Sequence, residues 1–472
     1  MKISLVNPPF TLKGLTGKTT SMKRVMNITQ PLGLAYIAAY LEENGHEVNI
    51  HDCQCSDIDS LKLVSMIKKE SPEIVGFTST TPMFKNTTEV SKLIKQELPD
   101  VSIIIGGSHV SSLPERTIFT NYFDYGIIGE GEITTSKLVD SIEKNDVKNL
   151  KKIDGIVFEK NGRIIKTLPR RLISDIDELP HPARHLLPSL KKYKPTSASY
   201  KKIPQAQMIT SRGCPSLCTF CDKSIFGSSI RFRNIDKIFD EVVELIDIYG
   251  MKDLKFFDDT FTLSGKRVYQ ICKKFKDEKI DIPWSCLTRV DKVSKKMLVE
   301  MKKAGCWQVI FGLESMDQNI LNSMRKGTTV EQNKKSVEIA KNVGMNVRVD
   351  ILYGTPLESV ETIGKTLKET MKLNVDFAHF YKFTPFPGSE IYKNLVKEGY
   401  EFDQFNYPSQ LDHENIIYSP PEISNEILKK WLNRSYRMYY LRPEIFFKHL
   451  KQLRNFYDVR KIFRGFLAIM GL

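Results

Sequence analysis

Ser211-Arg-Gly-Cys-Pro-Ser-Leu-Cys-Thr-Phe-Cys-Asp222 places three cysteines, Cys214, Cys218 and Cys221, within eight residues at the spacing C-x3-C-x2-C. Thiolates are soft ligands and select soft metals. Structural zinc sites and four-cysteine iron–sulfur sites usually need a fourth local ligand, and no fourth cysteine follows nearby. Three thiolates leave one iron of a 4Fe-4S cluster without a protein ligand, open to a substrate or cofactor. A structural zinc site is the competing reading of the triplet. The segment Gln207-Met-Ile-Thr210 precedes the cysteines as a strand should.

With the aromatic Phe220 before the last cysteine, the triplet resembles the signature of the radical S-adenosylmethionine (SAM) enzymes. The resemblance implies a 4Fe-4S cluster held by Cys214, Cys218 and Cys221, with Phe220 beside the bound SAM. In that family the open iron chelates the amino and carboxylate groups of SAM. An external electron donor such as flavodoxin or ferredoxin then drives cleavage of SAM to methionine and a 5′-deoxyadenosyl radical.

Strand and helix patterns alternate over 201–400. Leu254-Lys-Phe-Phe257 runs into Asp258-Asp259, Ile282–Cys286 into Arg289, and Trp307–Phe311 into Gly312-Leu-Glu314-Ser315. Val347–Leu352 runs into Gly354-Thr-Pro356, and Phe377–Phe383 into Pro385-Phe-Pro-Gly388. With the strand before the cysteines these make six strand–helix units. That is the pattern of a partial parallel (β/α)6, TIM-like barrel, whose chemistry sits at the carboxyl ends of its strands. By resemblance, Glu314 bonds polar groups of SAM, Arg289 reaches its carboxylate or ribose, and Ser285 contacts its ribose. Asp258 and Asp259 lie where the family binds the SAM ammonium, with a helix N-cap as the alternative for either. Arg212, Arg231 and Arg233 flank the cysteine loop, in structural roles or as cofactor contacts. Cys272, Cys286 and Cys306 fall in separate elements and read as packing residues.

Residues 1–150 also alternate. Lys2–Val6, Val48–His51, Ile74–Thr78, Val101–Ile105 and Tyr125–Ile128 read as strands. Leu32–Asn44, Leu61–Lys69 and Asn86–Leu98, the last capped by Asn86, read as helices. The expected fold is α/β, a Rossmann-like doubly wound parallel sheet, with ligands beyond the carboxyl ends of its strands. Those ends are Ser79-Thr80-Thr81, Gly106-Gly107-Ser-His109 and Gly129-Glu130. No G-x-G-x-x-G follows the first strand and no phosphate-binding G-x-x-x-x-G-K occurs, so NAD and ATP lack support. The arrangement, with Asn7-Pro-Pro9, Pro31-Leu-Gly-Leu-Ala35, Gly106-Gly-Ser-His109 and Gly129-Glu-Gly-Glu132 at its turns, resembles the cobalamin-binding domain that precedes many radical SAM domains. It implies Ser79, Thr80, Gly106, Gly107, His109, Gly129 and Glu130 as cobalamin contacts; a loop histidine bonded to backbone is the alternative for His109. The loop Phe10–Gln30 contains no histidine, so no cobalt ligand of the D-x-H-x-x-G type is expected.

Residues 151–200 read as a connector: a hairpin turning at Asn161-Gly162, then the proline-punctuated Leu179-Pro-His-Pro-Ala183, with His181 and His185 as surface residues. Residues 401–472 read as a basic helical extension with helices at Ile427–Leu441 and Ile445–Phe463. Residues 421–472 carry 11 Lys/Arg against 4 Asp/Glu, half of the net charge of +14. An anionic partner or a solvated helical face accounts for that charge. The extension reads as a lid over an apolar substrate, a peripheral membrane contact aided by Gly465–Leu472, or ordinary packing on the barrel.

No apolar run approaches the roughly 20 residues of a membrane span. The first residues read as a strand and not as a signal peptide, and the eight cysteines do not form a disulfide framework. A cytoplasmic location follows, with the option of a peripheral membrane contact. Together the two resemblances imply a cobalamin-dependent radical SAM enzyme that moves a methyl group from methylcobalamin to an unactivated carbon. Cyclisation, ring contraction or carbon–carbon coupling is the alternative within the same architecture. A non-catalytic cobalamin sensor acting on nucleic acid is a third reading, which an intact cluster motif disfavours. The substrate is a small molecule; lipid or isoprenoid, tetrapyrrole and antibiotic precursor all remain open.

Overall fold

The computed structural model describes residues 1–10, 28–146, 149–409, 412–450 and 459. Five short strands begin the first sheet: β1 (Lys2–Asn7), β2 (Glu47–Asp52), β3 (Ile74–Thr78), β4 (Ser102–Gly106) and β5 (Tyr125–Ile127). They pair in parallel in the order β2-β1-β3-β4-β5. Alternate residues of each strand feed opposite faces. Val6, Val75, Phe77 and Ile105 pack on helices Ser60–Glu70 and Phe84–Glu97, while Ile3, Leu5, Ile74 and Ile104 pack on helices Leu32–Glu43 and Glu132–Glu143. Burial on both faces is what a doubly wound sheet requires.

Two local expectations change. The hairpin β6 (Ile156–Lys160) and β7 (Arg163–Lys166) turns at Asn161 and Gly162, both left-handed with φ of 54° and 73°. Instead of remaining a separate connector, it adds to β5 in antiparallel sense, so the sheet has seven strands and is mixed. The reversal occurs at Gly155 (φ 82°), whose carbonyl accepts the Ile128 N–H at 2.8 Å beside the end of β5. Asn86 does not cap its helix, which begins at Phe84; its Nδ2 donates to Pro9 O at 3.1 Å and ties down the turn after β1.

The second sheet contains β8 (Gln205–Met208), β11 (Asp253–Phe256), β12 (Trp284–Thr288), β13 (Cys306–Glu314), β14 (Asn346–Tyr353) and β15 (Phe377–Lys382). All six are parallel and adjacent in chain order, the open barrel expected from the alternation. A small antiparallel ribbon, β9 (Ser211–Arg212) with β10 (Arg231–Phe232), closes the cysteine loop at its base. The C-terminal helix Asn425–Tyr440, capped by Ser424, packs its Leu428, Leu432 and Tyr439 stripe into the barrel core. Tyr436 Oη accepts from Phe380 N and Tyr440 Oη from Ala378 N, both at 3.2 Å, so this helix is fastened to β15. Helix Pro443–Leu450 follows. The continuation of that helix to Phe463, the apolar Gly465–Leu472 and most of the Phe10–Gln30 loop lie outside the described residues. Among the described residues no helix is long and apolar enough to cross a membrane.

Glu241, on helix Ile235–Asp247, joins three parts of the chain. Its carboxylate, 1% exposed, accepts from Arg184 Nη2 at 2.7 Å and from Arg233 Nη1. Arg184 also donates to Gln207 O at 2.8 Å and to Gln30 Oε1. Burial pushes the Glu241 carboxyl up, but Arg233 and Arg184 outweigh it and hold it below its ordinary value. Its contribution is therefore present above the unfolded glutamate pKa of about 4.3 and is lost as pH falls through the lower folded value. Glu241→Ala leaves two buried guanidinium groups without a carboxylate. It is expected to cost about 3–5 kcal/mol in urea unfolding at pH 7, with the difference from wild type shrinking below about pH 4.

Candidate active site

Gly213 opens the cysteine loop with φ 90°, at a point where a Cβ would lie 2.3 Å from Ser229 O, so only glycine fits. The loop is then fastened from both sides. Thr219 N donates to Met324 O and Ile391 N to Thr219 O, each at 3.0 Å. Gly388 lies so close to Asp222 that a Cβ there would meet Oδ1 at 1.8 Å. Cys218 Sγ accepts from Arg289 Nη1 at 3.5 Å, and Cys214 Sγ lies 4.0 Å from Thr260 Oγ1. The Cys221 thiol is pushed up to about 12, by burial first and then by Cys218, Asp259 and Cys214. The thiols are thus near enough to oppose one another's ionisation, a penalty that bound iron removes. Among the described residues no three Cys, His, Asp or Glu side chains converge into a closed metal site. The donor set, three soft thiols on one short loop, nevertheless fits a cluster with one open iron.

A cavity of about 270 Å3 opens beside the loop at the carboxyl ends of the barrel strands. Phe220, Asp259, Arg289, Glu314 and Lys326 line it on the cysteine side; Asp350, Leu352, Tyr381 and Phe383 form the far wall. Glu314 is held left-handed at φ 62° and accepts from Lys326 Nζ at 2.7 Å. Gly312 makes room for that pair, since a Cβ there would lie 2.4 Å from Glu314 Oε1. Arg289 bonds Asp291 Oδ1 through Nε and Lys326 O through Nη2 while touching Cys218. Asp259 faces the cavity, its carboxyl pushed up first by the loss of surrounding water in that recess and then by Asp258. Lys326 carries no chemical signal in the sequence, because Arg325-Lys-Gly327 reads as a helix–helix loop.

Two expected residues do not reach this cavity. Asp258 is neither exposed nor a helix cap: its carboxylate accepts from Thr210 N, Thr210 Oγ1 and Ser211 Oγ at 2.6, 2.6 and 2.8 Å. It fixes the approach to the cysteines, while Ser264 caps the following helix. Ser285 is fully buried with a partnerless hydroxyl; Leu287 and Thr288 of the same strand reach the cavity instead. Below the cavity the barrel interior is polar. Arg348 forks onto Asp350 at 2.9 and 3.0 Å and reaches Tyr381 Oη at 3.3 Å; His379 Nδ1 is 2.9 Å from the same hydroxyl. Burial, and then Arg348, push the Lys255 amine down to about 7.

The strand ends of the first sheet face the cysteine loop. Ser112 Oγ lies 3.3 Å from Asp222 Oδ2 and 3.2 Å from Ser224 Oγ. Gly106 ends β4, and a Cβ on Gly107 (φ 105°) would lie 2.6 Å from Ser79 O, so the β3 and β4 ends meet only through glycine. Gly129 (φ 79°) approaches Ile225 O and Ser224 O within 4.0 Å of where its Cβ would stand. Ser79 is buried and shares a hydrogen bond with Thr87, whereas Thr80 is exposed. His109 is fully buried on Phe84, ring centroids 3.8 Å apart, and neither ring nitrogen has a hydrogen-bond partner among the described residues. Burial pushes its imidazole down to about 3; Gln404 opposes this weakly, although no well-formed hydrogen bond joins them. It is therefore not bonded to the backbone through its ring, and an orphaned buried imidazole two residues after Gly107 fits the edge of a ligand seat. Glu130 is committed elsewhere. Its Oε1 accepts from Arg212 at 2.9 Å, and its Oε2 from Arg231 at 2.6 Å and Ile173 N at 2.8 Å. Arg212 and Arg231 thus serve to join the domains.

Residues 20–139 match the family description "B12 binding domain" and residues 208–370 match "Radical SAM superfamily". An uncharacterized methyltransferase of Pyrococcus horikoshii is 34% identical over 472 residues, covering 99% of this chain and 98% of the relative. An anaerobic magnesium-protoporphyrin IX monomethyl ester cyclase of Rubrivivax gelatinosus is 25% identical over 427 residues, covering 87% of this chain and 75% of the relative. The radical SAM methyltransferase TsrM of Kitasatospora setae, solved with cobalamin and a [4Fe-4S] cluster, has the same fold, with a TM-score of 0.71. It is 17% identical, and the match covers 94% of this chain and 89% of that one.

Two substitutions test the electrostatics. Glu130→Gln leaves Arg231 without a carboxylate among the described residues and Arg212 with Glu132 alone, at 2.7 Å. It is expected to cost about 3–5 kcal/mol in chemical unfolding even without cobalamin, an effect that a mere cobalamin contact would not produce. Lys255 has its folded pKa depressed, so its penalty is fully present below about pH 7 and fades as pH rises towards the unfolded value of about 10.4. Lys255→Met is therefore expected to raise stability in urea unfolding, and by more at pH 6 than at pH 9.

Proposed function

The chain belongs to the cobalamin-binding radical SAM enzymes, and from that membership we propose that it transfers a methyl group to an unactivated carbon of a small molecule. Its cofactors are a 4Fe-4S cluster, SAM and cobalamin, and it requires a reductant. When bound, the cluster and SAM supply a 5′-deoxyadenosyl radical that removes a hydrogen atom from carbon, and cobalamin supplies the methyl group. The observation that carries the proposal is the facing of the two strand-end edges, with Ser112 Oγ 3.3 Å from Asp222 Oδ2 across the junction. A substrate held there would lie between the residues proposed to hold the cluster and SAM and those proposed to border cobalamin.

The chain's own residues hold and orient. Cys214, Cys218 and Cys221 hold the cluster. Asp259, facing the cavity, takes the SAM ammonium, and Arg289, already against Cys218, takes the carboxylate in a charge-assisted bond. The Glu314–Lys326 pair bonds the remaining polar groups, with Phe220 beside it. Gly106 and Gly129, at the strand ends, would border the corrin, and the exposed Thr80 would contact it, while the fully buried His109 would stand behind that edge. Leu352 and Phe383 exclude water from the far wall. Naming of the Pyrococcus relative as a methyltransferase favours methyl transfer; likeness to the cyclase keeps carbon–carbon ring closure as the second reading.

The test uses anaerobically purified protein, reconstituted with iron, sulfide and cobalamin, given reductant, SAM bearing a deuterated methyl group and host small-molecule extract. Mass spectrometry is expected to find deoxyadenosine, S-adenosylhomocysteine and one labelled extract component. Deoxyadenosine that depends on extract, without homocysteine product or label, replaces methyl transfer by the ring-forming reading.

A further inference from the structure

The outer wall of the barrel carries a groove, of about 380 Å3, that the chemistry above does not use. It runs between helix Val360–Lys372 and helix Asn425–Tyr440, towards the amino ends of the strands: Tyr439 Oη donates to Val375 O at 3.1 Å, just ahead of β15. Its floor is apolar, from Leu367, Met371 and Trp431. Its rim is cationic, from Lys368, Arg434 and Arg442.

These rim charges lack counter-charges among the described residues. Lys372 is paired with Glu369, which Lys334 also reaches. Lys368, Arg434 and Arg442 have no carboxylate partner among the described residues. Arg434 lies 4.9 Å from the Trp431 ring centroid, and its Nε bonds Met438 Sδ. Arg442 donates to Met371 O at 2.6 Å and Tyr439 O at 3.1 Å, while its Nη2 is buried with no hydrogen-bond partner among the described residues. A buried guanidinium nitrogen left open is costly unless an anion or water comes to it. Beside the groove, Met438 and Leu441 are 38% and 43% exposed.

We propose that this groove docks the protein on an anionic lipid membrane. Unpaired cations above an apolar floor match a surface whose phosphates overlie acyl chains, and a half-buried tryptophan suits that boundary. The chain's own last segment is a poor occupant: residues 451–472 carry five Lys/Arg against one Asp, and like charges repel. Docking here leaves the cysteine loop, at the opposite end of the barrel, free for substrate and reductant.

The test floats the full-length, cluster-loaded protein with phosphatidylcholine vesicles and with phosphatidylcholine vesicles containing phosphatidylglycerol, at about 0.1 M salt. The expected result is flotation with the second kind only, weakened by added salt. Vesicle binding should also shift tryptophan emission to shorter wavelength, and Trp431→Phe should abolish that shift. Lys368 and Arg434 are exposed, so the double variant Lys368→Gln/Arg434→Gln should keep its iron content. It should bind the anionic vesicles about 25-fold more weakly, at roughly fivefold per charge. Absence of flotation, or equal flotation of the double variant, overturns the proposal. Binding of a single-stranded oligonucleotide in place of vesicles overturns it as well and makes the groove a nucleic-acid surface.

Discussion

The buried carboxylates of Glu130 and Glu241 set the relation between the two sheets, and everything at their junction depends on it. Each carboxylate sits between two arginines, Glu130 between Arg212 and Arg231 and Glu241 between Arg184 and Arg233. Taking these charges out of water is expensive, and the pairs recover that cost only while their geometry is kept. An apolar contact of equal area would tolerate sliding; a carboxylate whose two oxygens accept from two different guanidinium groups does not. Arg212 immediately precedes Gly213-Cys214, so the pairing that locks the sheets also places the cysteine loop. Arg212 has the Tyr36 and Phe226 rings within about 5 Å, at 5.2 and 5.1 Å, which walls the pair from solvent.

The barrel spends stability on a polar interior. Arg348, Asp350, His379, Tyr381 and Lys255 lie where a closed barrel would hold layers of branched apolar side chains. Arg348 and Asp350 satisfy each other, and Tyr381 carries that network to the cavity wall. Lys255 has a neighbouring aromatic face, Phe257 at 5.3 Å, but no ion pair among the described residues. Such a hydrogen-bonded cluster holds the shape of the barrel interior under the cavity, consistent with a site that must accept a large cofactor and a substrate from above.

Much of this architecture is legible in the residues. The C-x3-C-x2-C loop, the alternation of strands and helices and the glycine-rich strand ends require only local patterns, because each reports a backbone need or a ligand chemistry within a few residues. The inward polar face of β14 was harder. In Asn346-Val-Arg-Val-Asp350 the polar positions alternate with valine, as in a strand with one wet face; closure of the sheet turns that face inward. Glu130 misleads for a related reason. It stands at a strand end, where ligands bind, and its arginine partners lie some 80 and 100 residues away in the chain. Asp258 and Asp259 show the limit most clearly: adjacent residues of one type alternate direction, so one fixes Thr210 and Ser211 while the other faces the cavity.

The sequence by itself determined the fold class and the family and singled out the three cysteines proposed to hold the cluster, since those follow from spacing, periodicity and donor chemistry along a continuous segment. Tertiary structure alone decided which charged groups are spent on holding the molecule together and which remain for a ligand. That division depends on distance between residues far apart in the chain, on burial and on the direction in which each side chain points. The last 52 residues illustrate both sides: their +7 balance is visible in the sequence. Packing of Leu428, Leu432 and Tyr439 into the barrel core, and exposure of Arg434 and Met438 beside a groove, come from the way one helix face is consumed by β15.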